Sequence, residues 1–61
     1  MTIGQRIKEA RLARGLTQQK LADTMHYTVV HVSCVERDVY KPSNRSLMAF
    51  ELALQTKLEH E

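Results

Sequence analysis

Thr17 and Thr28 each open a short helical pattern, and almost no chain separates the two patterns. A threonine hydroxyl accepts a hydrogen bond from a first-turn amide, so the residue type itself marks a helix start. After Thr17, polar Gln18 and Gln19 fill the first turn, and Leu21, Ala22 and Met25 form an apolar face. This predicts a helix over 18–25. His26 holds the stop position, where a non-glycine residue at positive φ carries a penalty, and Tyr27 bridges to Thr28. After Thr28, Val32 and Val35 fall on the inward side with His31 at the margin, predicting a second helix over 29–37. Val29, Val30, Ser33, Cys34 and Arg37 then face outward, at least in part. Helices this short need tertiary support, and small Ala22 permits the close crossing that so tight a connection demands.

The flanking chain supplies that support. Thr2 with Gln5 is a capping box, placing the start of a first helix near Ile3. Ile3, Ile7, Ala10 and Arg14 recur at helical spacing, Leu12 widens the stripe, and Gly15 provides a left-handed stop; the helix spans 3–14. Asp38-Val39-Tyr40-Lys41-Pro42 reads as a loop, because proline keeps the residue before it out of helical geometry. Ser43 caps a last helix over 44–56, whose Leu47, Met48, Phe50, Leu52 and Leu54 make an apolar surface wider than one core face requires. The only β-branched cluster, Val29–Val32, does not alternate and follows a capping residue, so the expected class is all-α. A domain over 1–56 with a short tail over 57–61 accounts for the 61 residues.

A chain of this size is only marginally stable without help, and one cysteine, Cys34, cannot form an intrachain disulfide. A single thiol suits a cytoplasmic protein, the N-terminus lacks the apolar core of a signal peptide, and no apolar run approaches a membrane span. Charge is unevenly placed. Residues 1–45 carry eight Lys/Arg against four acids, a net of +4, whereas residues 46–61 carry Lys57 against Glu51, Glu59 and Glu61, a net of −2. A basic body with an acidic tail suits a protein that lays one face on phosphates, and equally an ordinary solvated surface. His26, His31 and Cys34 lack a second Cys/His pair at zinc spacing, so neither a metal nor a cofactor is expected, nor an enzyme.

These elements together carry a resemblance. Arg11-Leu12-Ala13-Arg14-Gly15-Leu16 leads into Thr17-Gln18 and then Leu21-Ala22. The Tyr27-Thr28 turn, Val32, Val35-Glu36-Arg37, Lys41-Pro42-Ser43 and an apolar fourth helix follow. Over residues 3 to 54 the chain resembles the helix-turn-helix domain of the lambdoid phage repressors and Cro proteins, the XRE family. Two positions depart from the pattern: His26 and Asp38 stand where the family usually has glycine, and both types tolerate left-handed backbone better than most.

The resemblance implies a compact four- to five-helix bundle of the lambda repressor-like DNA-binding fold. It implies a homodimer that binds a palindromic operator in double-stranded DNA, in a prokaryotic or phage-encoded transcriptional regulator and most simply a repressor. Gln18 would bond a phosphate, Thr28 would cap the third helix and touch phosphate, and Lys41, Ser43, Asn44 and Arg45 would grip a second stretch of backbone. Val29, Val30, Ser33 and Cys34 would meet base edges, with His31 and Arg37 at the border of that contact. Valine packs on thymine methyl groups and serine bonds either kind of edge, so a site relying on methyls and DNA shape is expected. Alternatively, Val30 tucks partly into the core and contributes nothing to specificity. Arg11 and Glu36 occupy positions that form a structural ion pair in similar proteins. Met48, Phe50, Leu52, Leu54 and Leu58 exceed one small core, so a dimer through the C-terminal region is the expected outlet. Antitoxins and restriction–modification controllers share this fold. A protein-interaction module using Val29 and Val30 as its contact patch is the reading from a different class.

Overall fold

The computed structural model describes residues 1–39 and 41–58, so Tyr40 of the expected loop and 59–61 of the expected tail lie outside the described residues. Four helices run in order: α1 (Ile3–Ala13), α2 (Gln18–Met25), α3 (Val29–Glu36) and α4 (Asn44–Leu54). No strand occurs among the described residues. Every helix starts as its sequence dictates. The hydroxyls of Thr2, Thr17, Thr28 and Ser43 accept from the amides of Gln5, Lys20, His31 and Ser46 at 3.0–3.2 Å. Thr2 and Gln5 complete a reciprocal box, with the Thr2 amide donating to Gln5 Oε1 at 3.0 Å.

The helix ends share one closure. Gly15, His26, Asp38 and Gln55 all take positive φ, at 70, 62, 59 and 54°. In each case the following amide reaches back a full turn: Leu16 to the Arg11 carbonyl, Tyr27 to Ala22, Val39 to Cys34 and Thr56 to Glu51. This is the Schellman pattern, which satisfies carbonyls that a helix end leaves unpaired. Expected ends at 14, 37 and 56 therefore retreat to Ala13, Glu36 and Leu54.

The core is Ile7, Leu21, Ala22, Met25, Val32, Val35, Leu47, Phe50, Leu54 and Leu58, with Phe50 its largest fully buried side chain. Fully burying one such side chain stabilises by about 1.5–3 kcal/mol, so the loss of one contact site matters in a domain this small. α3 packs on α2 and α1, and both of these pack on α4.

Three expectations about that core need correction. On α1 the buried residues are Gly4, Ile7 and Arg11, whereas Leu12 is 57% exposed and Arg14 is exposed. The inward stripe thus runs through an arginine, for which Glu36 supplies the buried partner. Secondly, the surplus on α4 is smaller than its composition implies. Phe50, Leu54 and Leu58 are all buried, leaving Met48 at 60% and Leu52 at 79% exposure. Thirdly, the tail is not featureless at its start. Leu58 is only 4% exposed, and its amide donates to Glu51 Oε2 at 3.0 Å, folding the chain back over the core after α4.

Candidate nucleic-acid interface

Two contacts from Arg11 hold α1 against α3, and a third ties the same arginine to the α1–α2 connection. Arg11 Nε donates to Glu36 Oε2 at 2.7 Å and Nη2 donates to Oε1 at 3.1 Å, while Nη1 reaches the Leu16 carbonyl at 2.8 Å. The two side chains are buried, so this two-pronged pairing satisfies charges that would otherwise be stranded. The expected ion pair is present. At the other end, Asp38 accepts from the Thr2 hydroxyl at 2.7 Å and from the Gly4 amide at 3.3 Å. Asp38 therefore accepts left-handed backbone and in return caps α1 with a carboxylate, which a glycine there could not do. Gln55 repeats the device: its Oε1 accepts from Arg14 Nη2 at 2.8 Å, joining the ends of α4 and α1.

α3 is eight residues long, about 12 Å at 1.5 Å per residue, and a helix N-terminus adjoins each half of it. Gln18, the first residue of α2, donates from Nε2 to Glu36 Oε1 at 3.1 Å at the C-terminal end of α3. Ser46, in the first turn of α4, lies 2.7 Å from His31 Nε2 in the first turn of α3. The first amides of each helix have no intrahelical acceptor and carry the positive end of the helix dipole. Two anion-favouring helix ends thus flank one short helix.

Between them α3 shows an apolar outer face. Val30 is 65% exposed, so it does not tuck into the core. Val29 is half-buried against the core, and Ser33 and Cys34 are half-buried. Thr28 and Arg37 are exposed. The Arg37 side chain folds back along α3, with Nε 3.4 Å from the Ser33 carbonyl and Nη2 3.9 Å from Cys34 Sγ. Lys41, Ser43, Asn44 and Arg45 are exposed where the loop enters α4, and the Ser43 hydroxyl is engaged in capping.

Two expected site residues take other surroundings. Gln18 is half-buried and its amide is held by Glu36, so the residue is part of the α1–α3 pairing as well as of the surface. An amide nitrogen carries two hydrogens, and one of them is left to donate elsewhere. His31 turns its ring inward: it stacks at 6.0 Å on Phe50, lies 4.6 Å from the Tyr27 ring, and meets Ser46. Desolvation by burial lowers its pKa from the ordinary value. Ser46, 2% exposed, was missed in the sequence, where a serine in a first turn reads as surface.

The helix-turn-helix family model (HTH_3) matches residues 7–60. The chain belongs to that family. This HTH_3 chain is 44% identical over 54 residues to the immunity repressor protein of Bacillus phage phi105, covering 88% of the chain and 38% of that repressor. It therefore spans well under half the length of that relative. Among solved structures it is similar to the biofilm master regulator SinR in complex with DNA, with a TM-score of 0.87 and 29% identity. That match covers 93% of this chain and 92% of the other. It is also similar to the P22 c2 repressor in complex with a synthetic operator, with a TM-score of 0.89 and 28% identity, covering 95% and 88%. All four helices of the HTH_3 chain thus belong to a repressor architecture, with α2 and α3 as its helix-turn-helix. No helix among its described residues is long and apolar enough to cross a membrane.

Proposed function

We propose that this chain is the DNA-binding domain of a cytoplasmic transcriptional repressor that places α3 in the major groove of double-stranded DNA. The observation that carries the reading is Val30, a large apolar side chain 65% exposed on a short helix flanked by two helix N-termini. In the groove, Val30 and the exposed edge of Val29 pack on thymine methyl groups. Ser33 and Cys34 meet neighbouring edges, and Arg37 extends from the C-terminal end of α3. Gln18 donates its second amide hydrogen to a phosphate while Glu36 holds the first. Thr28, Lys41, Ser43, Asn44 and Arg45 take the backbone beyond the other half of α3. The proteins similar to it support this reading, since two were solved as DNA complexes.

A second copy binds through α4, where Met48 and Leu52 lie one turn apart and uncovered, giving a two-fold homodimer on a palindromic operator. The experiment is a comparison of variants on a bound site and on unrelated duplex. Gln18→Ala weakens binding to every sequence, by about the 1.5–3 kcal/mol of one hydrogen bond to a charged group. Val29→Ala and Val30→Ala change which sequence is preferred. If both valine variants keep the wild-type preference, α3 does not read bases through this face.

A further inference from the structure

We infer that His31 is a positioning residue for DNA recognition, locking the reading helix to the phosphate-gripping end of α4; this rests on the proposed DNA-binding function. Three observations converge on it. Its Nε2 lies 2.7 Å from Ser46 Oγ, and Ser46 is 2% exposed, so the serine end of this part-buried contact is withdrawn from solvent. Its ring lies against both Tyr27, in the turn that joins α2 to α3, and Phe50, the largest fully buried side chain, on α4. Ser46 also donates its amide to the Ser43 cap at 3.2 Å, so the contact ends on the first turn of α4.

Among the described residues, few other contacts join these two helices directly. α3 packs chiefly on α2 and α1, and α4 packs on the same two helices. The angle between the face that reads bases and the end that grips phosphate is therefore set through shared neighbours and through His31–Ser46. Reading and gripping must be satisfied on one duplex at once. A shift of α4 relative to α3 forfeits one of them even in a folded domain. Non-specific binding needs no such register, because it uses either phosphate contact alone.

The test measures binding of the whole chain to a duplex selected from a random library and to unrelated duplex, across a salt series, for His31→Ala, Ser46→Ala and His31→Gln. Glutamine places an amide near where Nε2 lies and keeps a partner for Ser46. Expected is an about tenfold loss of preference for the selected duplex in both alanine variants, the worth of one hydrogen bond. A shallower salt dependence, by about one phosphate contact, is expected with it, non-specific binding is unchanged, and His31→Gln recovers most of the loss. Ser46→Ala removes one hydroxyl from a helix and keeps the domain folded should His31→Ala fail to fold. Folded alanine variants with unchanged preference and salt slope overturn the inference, as does a loss shared equally by both duplexes. A wild-type chain that binds no duplex at low salt overturns the DNA-binding reading itself, and this inference with it.

Discussion

Replacing Gly4 with alanine sets two effects of opposite sign against each other. Alanine is the better helix former, by about 1 kcal/mol, and on an exposed turn of α1 the change would stabilise the domain. Gly4 is not exposed. It is buried where the start of α1 meets the end of α3. A Cβ built there falls against the Val35 carbonyl oxygen, 2.9 Å from the Glu36 carbonyl oxygen and 2.6 Å from Asp38 Oδ1. Two of those three atoms are backbone, so no side-chain rotation relieves the overlap and α1 must move away from α3. Overpacking of this kind costs about 1–3 kcal/mol. The Gly4 amide also loses its bond to Asp38, worth about 1 kcal/mol. The net is a destabilisation of about 1–3 kcal/mol, or a fall in Tm of roughly 5–20 °C for a domain this small. Urea and thermal unfolding followed by helical circular dichroism measure it directly. Gly15→Ala is the control: nothing lies within 4 Å of its added Cβ, and the φ of +70° alone costs about 1–2 kcal/mol. If Gly4→Ala is as stable as the wild type, the close approach of α1 to α3 is not what requires glycine.

Arg11→Met strands the buried Glu36 carboxylate and should cost about 3–5 kcal/mol, much of it recovered when Glu36→Leu is added; a urea double-mutant cycle reads both. Leu58→Ala should cost about 2 kcal/mol or more, whereas Leu52→Ala, at an exposed position, should lie within about 0.5 kcal/mol of wild type in the same melts. Burial lowers the pKa of His31, so the folded chain takes up that proton less readily than the unfolded chain. Its contribution to stability is present above the unfolded value of about 6.5 and is lost as pH falls below it. Thermal melts from pH 7.5 to 5 should show that decline, reduced in His31→Gln.

How much of this was legible in the chain depended on the range of the interaction. The four helix starts were readable because a hydroxyl caps an amide three residues away, and so were Gly15, His26 and Asp38 as left-handed stops. The outward face of α3 followed from Val32 and Val35 alone. What escaped were placements decided by distant residues. The Arg11–Glu36 pair itself was expected from the resemblance, but the helical pattern put Leu12 inside, whereas Arg11 is buried against Glu36 and Leu12 is exposed. Asp38 looked like a strained substitute for glycine, yet its carboxylate caps a helix that begins at the other end of the sequence. Leu58 looked like tail until the turn after α4 brought it back over the core. His31 was placed at the edge of the reading face by helical spacing, and only the tertiary position of Ser46 and Phe50 turns it inward.

The central claim is that α3 reads duplex DNA while the helix ends beside it hold phosphates. Selection of bound sites from a random double-stranded library, followed by titration of the recovered site across a salt series, tests it most directly. The account predicts a palindromic site with half-sites one helical turn apart, thymines opposite the Val29 and Val30 positions, and affinity that falls steeply as salt rises. Recovery of no preferred sequence, with no salt-sensitive binding to any duplex at low ionic strength, would contradict it.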